Sequence, residues 1–405
     1  MSTVVPFRAL RPAPEVASRV AAVPYDVVNV EEAKALANGN PLSFLRVSRA
    51  EIDLPAGTDP YADAVYGRAV TNFEALKTAA PMALEDEPSL YVYRLEMAGH
   101  VQTGVAGCFL LDDYDGDTIK KHERTRRDKE DDRTRHILEL RAQTGPVFLT
   151  YPVSGAIDEV VRCVTTDQAL MDFVATDGIR HTIWRVPANL TSALVAAFES
   201  VPALYIADGH HRAASAARVR EQLHAQAGSG EWDTFLAVAF PGNQMNVLPY
   251  NRVVRDLGSH TPASLLGALR DQFDVKEGPA TPARAGHVSM FLDGRWYTID
   301  LGEAPADLSA DERLDVSRLQ ALVLTPLLGI GDVRSDKRID FIGGARGTAA
   351  LESMVNSGTA AVAFSMYPVS VADLMRISDA GGIMPPKSTW FEPKLRDGLL
   401  SHVID

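Results

Sequence analysis

The sequence predicts a mixed α/β fold, and three observations carry that reading. Apolar runs of strand length alternate along the chain with longer segments of helical character. One junction is explicit: the apolar residues 203–207 lead through Asp208-Gly209 into the alanine-rich stretch 213–219, a strand that turns sharply and opens a helix. At 405 residues the chain is too long for one ordinary core, so two domains are the default.

In chain order, residues 31–38 and 61–79 have helical character and flank a loop signal, Pro55-Ala56-Gly57-Thr58-Asp59-Pro60. Residues 90–95 and 101–111 alternate or run apolar, as paired strands do. Residues 120–142 read as one long charged helix. A strand is expected at 147–153, helix with a loop at 157–178, strand at 181–186 and helix at 190–200. The explicit junction follows, its helix running to about residue 227. Residues 232–239 are apolar enough for a central strand, 242–257 read as turn plus strand, and 278–286 as a linker or long hairpin. A strongly apolar helix is expected at 316–328, ending near Gly329 and Gly331, then a buried strand at 360–368 and a helix at 371–378. No internal repeat or low-complexity tract is evident. The expected division is 1–260, with the charged helix and the junction, and 261–405, with a Pro-Pro-Lys-Ser-Thr-Trp loop.

Composition bounds the function. Hydrophobic content of 46% and charged content of 23% are ordinary for a soluble enzyme. A net charge of −13 argues against a general nucleic-acid binder, whose surface must neutralise phosphates, but leaves room for a local basic pocket. No run approaches the roughly 18 apolar residues of a membrane span, and the N-terminus lacks a basic segment followed by an apolar core. Cys108 and Cys163 both have apolar neighbours, so buried thiols and a cytoplasmic setting are expected.

Asp208-Gly209-His210-His211-Arg212 is the strongest chemical signal. A helix start carries free N–H groups and a positive dipole end, and so attracts anions. Arg212 can grip phosphate through two parallel hydrogen bonds. Asp208 can cap the helix, hold a metal ion or act as a base. Simple capping explains Asp208 and Gly209, but two histidines and an arginine have no equally simple structural use.

Further constellations stand elsewhere. On a continuous helix His122, Thr125, Lys129, Asp132, Arg133 and His136 would share a sector of about 100°. Such a polar stripe either faces a ligand cleft or is a solvated face stitched by ion pairs. In Met384-Pro385-Pro386-Lys387-Ser388-Thr389-Trp390, two prolines stiffen the chain before a lysine and two hydroxyls. Lys387 can oppose a phosphate or carboxylate there, and the alternative is a rigid closing loop. Gly343-Gly344-Ala345-Arg346-Gly347 reads as a turn before a helix, since no P-loop pattern occurs. Pro24-Tyr25-Asp26-Val27 is a short turn-like stretch with little signal alone.

With these stretches in view, the chain resembles the domain-of-unknown-function 1015 family. The resemblance rests on Pro24-Tyr25-Asp26-Val27, Lys121-His122-Glu123-Arg124-Thr125 with Asp132-Arg133, residues 207–212 and residues 384–395. The turn at Asp208 with its alanine-rich helix is also similar to the phosphate-binding turn of the ParB and sulfiredoxin-like superfamily, which includes free serine kinases. That resemblance implies a nucleotide-binding core of that type with additional α/β elements. It implies nucleotide phosphates at the helix N-terminus and a glutamate acting toward the serine hydroxyl, for which Glu123 is the candidate. Sulfiredoxin chemistry needs a cysteine in this turn, where Gly209 and His210 stand. The chromosome-partitioning role is disfavoured by the acidic charge.

The expected activity is therefore phosphoryl transfer from ATP or ADP, with Mg²⁺, to free L-serine or a related hydroxy acid. Gly209, His210, His211 and Arg212 would hold the phosphates, with Lys129 and Arg133 adding positive charge. Asp208 would bind Mg²⁺ or orient the hydroxyl, with Glu123 as base beside His210 and His211. Lys387, Ser388, Thr389, Asp26 and His122 would face the acceptor. Partners are thus a nucleotide and a small hydroxy acid, without nucleic acid or membrane. Two alternatives stay open: a nucleotide-binding regulatory protein, and a metal-dependent hydrolase using Asp208, His210 and His211.

Overall fold

Nine strands form the main sheet of the first unit in the computed structural model, which describes residues 2–405. From one edge the order is Ile119–Lys120, Leu204–Asp208, Val147–Tyr151, Thr234–Pro241, His100–Leu110, Tyr91–Met97, Arg180–Arg185 and Met171–Val174, with Val4–Val5 also on His100–Leu110. Ile119–Lys120 runs parallel to Leu204–Asp208, and Val147–Tyr151 parallel to Thr234–Pro241; the remaining pairs are antiparallel. The fold is mixed α/β, as expected.

The turns follow local chemistry. Ala98 and Gly99 have φ of 49° and 84°, the twist that lets a two-residue turn join Tyr91–Met97 to His100–Leu110. Val92, Val105, Phe109, Leu149, Ile206 and Phe235 bury the sheet face against the helices Gly155–Val164 and Ala188–Glu199. A second core gathers Phe44, Leu45, Phe73 and Leu76 under the helix Asp63–Ala79. A small sheet joins Ala83–Leu84, Ala9–Arg11, Ser401–Val403 and Ala142–Gln143.

The expected helix over 120–142 is shorter. Residues Ile119–Lys120 pair as a strand, and the helix spans Arg127–Leu140. The intervening loop is tied elsewhere: the Arg126 N–H donates to His211 Nε2 at 3.0 Å, and the His122 N–H approaches His210 Nε2 at 3.4 Å. Tertiary bonds thus replace the turn of helix that local propensity favours. His122 and Thr125 therefore leave the stripe, while Lys129, Asp132, Arg133 and His136 stay on the helix.

The second unit is Asn246–Glu392. Its antiparallel sheet runs Asp274–Glu277, Arg295–Asp300, His287–Leu292, Val362–Ser365, Asn246–Val254, Ile339–Gly343, with Thr389–Glu392 pairing the first half of Asn246–Val254. The division falls at Met245 rather than near residue 260, because Asn246–Val254 is the strand on which this sheet is built. Pro393–Asp405 belongs to the first unit, where Ser401–Val403 completes the small sheet. The apolar helix expected at 316–328 is interrupted: Asp315–Leu319 and Thr325–Leu328 are α-helical, and Gln320–Leu324 is a π-helical turn. Gly329, at φ 64°, ends it. Both cysteines are free, but only Cys108 is buried; Cys163 is exposed on the outer side of its helix.

Candidate functional site

The strand Leu204–Asp208 ends at Asp208, and Gly209 turns the chain with φ +93° into the helix His210–Ala227. A Cβ at residue 209 would lie 3.1 Å from the Arg212 guanidinium and 3.4 Å from Val147 Cα, so glycine serves both the backbone angle and the close packing. No side chain caps this helix, and Ala213 is the first residue whose N–H bonds back along it, to Gly209. The helix start is therefore an open set of N–H donors. Val219 and Leu223 pack with Ile137, Trp232 and Ile404, which locks it beside the charged helix.

The first unit brings the sequence-selected stretches together here. Asp208 Oδ2 lies 3.3 Å from Arg212 and 3.4 Å from Lys394. Those cations hold its carboxyl well below the ordinary range despite burial. Arg212 also reaches Asp26 at 3.9 Å and donates to the Pro146 carbonyl. Its fork, expected to grip phosphate, is thus taken up by the protein's own acceptors. Glu123 Oε2 stands 3.9 Å from His210 Nδ1. The rings of His122 and His210 meet edge to face with centroids 4.5 Å apart. Burial lowers the pKa of both, His122 to about 4, so both are neutral at pH 7. His211 is shifted down as well, first by desolvation.

Cation strength comes from a feature the sequence reading passed over. The loop bonded to the helix start carries Arg124 and Arg126, and Arg127 opens the helix that follows it; all three are exposed. Behind it, Lys129 donates to Tyr61 Oη at 2.9 Å, and Arg133 bonds Asp132 at 2.8 Å and lies 4.2 Å over the Tyr25 ring. These groups line a cavity of about 140 Å³ walled by Tyr25, Tyr61 and Tyr66. A smaller cavity of about 40 Å³ shares Tyr25 and Arg133 and reaches Arg212 and Asp397. The polar stripe therefore faces interior space rather than solvent alone.

Two further residues were not singled out. Lys394 is brought to Asp208 by the C-terminal return of the chain. Asp397 is 3% exposed, its Oδ1 has no hydrogen-bond partner, and burial pushes its carboxyl up to about 7 against the pull of Arg212. No local spacing announces either, since both depend on a contact almost two hundred residues away in sequence. Lys387, Ser388 and Thr389 belong instead to the second unit. There Ser388 Oγ donates to the Pro385 carbonyl at 2.6 Å, and Lys387 lies 5.3 Å over the Tyr250 ring.

The grouping of potential metal ligands differs from the expected ligand, Asp208. His122, Glu123 and His210 offer ligand atoms within 4.8 Å of one another. Asp208 is outside that group, and its Oδ2 faces two cations. His211 is turned to the Arg126 N–H.

The site is therefore an uncapped helix start after a strand, with basic residues and a neutral histidine pair beside it, in a mixed α/β protein. The chain belongs to the family described as Protein of unknown function (DUF1015), whose profile matches residues 4–317. No curated protein matches significantly. Among solved structures, free serine kinase in complex with AMP is 13% identical, covers 71% of this chain and 89% of its own, and has a TM-score of 0.35. SbnI with a C-terminal truncation from Staphylococcus aureus is 13% identical over 74% of this chain and 87% of its own, with a TM-score of 0.40. A conserved hypothetical protein from Pyrococcus furiosus is 13% identical over 71% and 93%, with a TM-score of 0.34. Among the described residues no helix is long and apolar enough to cross a membrane.

Proposed function

We propose that this protein is a cytoplasmic phosphotransferase that moves a phosphoryl group from ATP or ADP to the hydroxyl of a small hydroxy acid, with free L-serine the first candidate. One observation carries the reading: the open N-terminus of His210–Ala227 is covered by a basic loop and faces Asp208, Glu123 and His210. Phosphoryl transfer asks the protein mainly for positioning and charge neutralisation. The N–H groups of His210, His211 and Arg212 would take phosphate oxygens, and the loop arginines would neutralise them. Lys129 and Arg133 would extend that positive field along the larger cavity. Free serine kinase structures are described with AMP or ADP bound, but the proposal rests on this chain's own helix start and charges.

Glu123 is the proposed base. Its carboxylate is 45% exposed and points at a neutral imidazole, so it can accept a hydroxyl proton and be steadied by His210. Mg²⁺ would enter with the nucleotide and offset phosphate charge. Asp208 and Asp26 are the nearby carboxylates able to share it, or Asp208 orients the acceptor hydroxyl. Asp26 and His122 are proposed to contact the acceptor. Lys387, Ser388 and Thr389 lie in the second unit and take no part in this proposal.

A second reading, metal-dependent hydrolysis, draws on the cluster of His122, Glu123 and His210. The hydrogen bonds weigh against it. His210 Nε2 faces the His122 N–H, which puts the ring proton on Nδ1, toward Glu123. A metal at Nδ1 would have to displace that proton. Stoichiometric zinc in the purified protein would favour the hydrolase.

The test is phosphoryl transfer with Mg²⁺, ATP or ADP, and a panel of hydroxy acids led by L-serine. Acceptor-dependent phosphoserine, reduced about 10²- to 10⁴-fold by Glu123→Gln, is the expected result. Nucleotide binding with no acceptor dependence would move the assignment to a regulatory protein.

A further inference from the structure

The second unit buries a guanidinium that no carboxylate balances. Arg252 sits mid-strand in Asn246–Val254, is 4% exposed, and donates to the Tyr250 carbonyl. Phe341, its partner across the sheet register, lies 5.4 Å from the guanidinium carbon. Among the described residues Arg252 enters no ion pair, and burial lowers its pKa to about 9 with only Tyr250 acting the other way. A buried charge normally has a partner or bears a full desolvation cost. The interior of this unit supplies none.

Arg252 instead lines a cavity of about 200 Å³. Val316, Ser317 and Gln320 face it from the interrupted helix, and Phe341 and Pro385 close other sides. Gln320 begins the π-helical turn, a distortion that recurs at functional sites. Its Nε2 donates to Thr325 Oγ1 and to the Ile330 and Gly331 carbonyls, while its Oε1 is buried with no hydrogen-bond partner. An unpaired cation and apolar walls therefore surround one small space, with Gln320 on its lining.

We propose that this cavity binds a small monocarboxylate that carries an apolar body, such as a short branched hydroxy or amino acid. The carboxylate meets Arg252, whose planar fork suits its two oxygens. The apolar body packs on Val316, Phe341 and Pro385. A phosphate fits less well, because it brings more negative charge than one guanidinium balances and sets oxygens against apolar walls. The volume is below the roughly 300–1,000 Å³ of drug-sized sites, so the ligand is small. This site lies wholly within Asn246–Glu392 and stands whether or not the phosphotransferase proposal does.

Calorimetric titration of the full chain tests it, with 2-hydroxyisovalerate and L-valine as probes and isobutyramide and inorganic phosphate as contrasts. Saturable binding of a carboxylate probe that depends on Arg252 is expected, isobutyramide should not bind, and any phosphate binding should be the same in wild type and Arg252→Met. Arg252→Met should weaken carboxylate binding at least tenfold. Ala321→Trp, at an exposed position on the rim, should do the same without touching the guanidinium. Thermal unfolding separates a ligand role from a structural one. Without ligand, Arg252→Met should melt no lower than wild type, and the probe should raise the melting temperature of wild type only. No carboxylate binding, phosphate binding that Arg252→Met abolishes, or carboxylate binding indifferent to both variants would overturn the proposal.

Discussion

Two buried arginines, Arg212 in the first unit and Arg252 in the second, show opposite ways of placing a charge. Arg212 is enclosed by Asp208 and Asp26 and by the Pro146 carbonyl, and its pKa is driven upward by the two carboxylates. Arg252 has one carbonyl and one ring, and burial drives its pKa down. A charge countered by the protein can hold a turn rigid for a ligand that binds elsewhere. A charge left uncountered is itself the binding group. On the two proposals above, the first unit would present an anion site through open backbone N–H groups, and the second through a side chain.

That contrast can be broken most severely at Asp208. Asp208→Asn removes the anion on which Arg212 and Lys394 converge, and transfer measured by phosphoserine formation should fall about a thousandfold while circular dichroism stays native. Near wild-type turnover would remove Asp208 from the mechanism. Next is the pair Lys394→Met and Arg252→Met in urea unfolding. Loss of Lys394 leaves the half-buried Asp208 carboxylate less compensated and should cost roughly 1–2 kcal/mol. Loss of Arg252 should cost nothing or stabilise. Equal losses would erase the distinction between the two units.

Gly209→Ala forces a side chain to φ +93° against Arg212 and should cost roughly 1–2 kcal/mol in the same measurement. A neutral result would mean that the turn relaxes freely. The gentlest effect is a pH slope. Asp397 is raised to about 7, so the folded protein keeps a proton that the unfolded chain releases near pH 4. The stability it contributes is complete below that lower value and is lost as pH rises toward 7, at no more than ~1.4 kcal/mol per pH unit. Asp397→Asn should flatten this part of the profile between pH 4 and 7. An unchanged slope would contradict the assignment.

The signature junction was legible because its causes are local. An apolar strand, a glycine at positive φ and an alanine-rich helix state themselves within twenty-five residues, and the helix ends at Ala227 as expected. The start of the charged helix was not, because His210 and His211 hold residues 122–126 from a distance. The strand Met171–Val174 was hidden in a stretch read as helix and loop; its pairing with Arg180–Arg185 supplies what its four residues lack. Lys394 and Asp397 reach the site through chain topology, which no spacing encodes. The π-helical turn left no sequence mark either, since its residues continue the apolar helix pattern.

The central claim is that the open start of His210–Ala227 is a phosphate site, and a titration of adenosine, AMP, ADP and ATP into the wild-type protein tests it without any substitution. Affinity should rise with the phosphates, by at least tenfold from adenosine to ADP, and weaken with added salt. Equal affinities across the series, or no binding of any nucleotide, would contradict it.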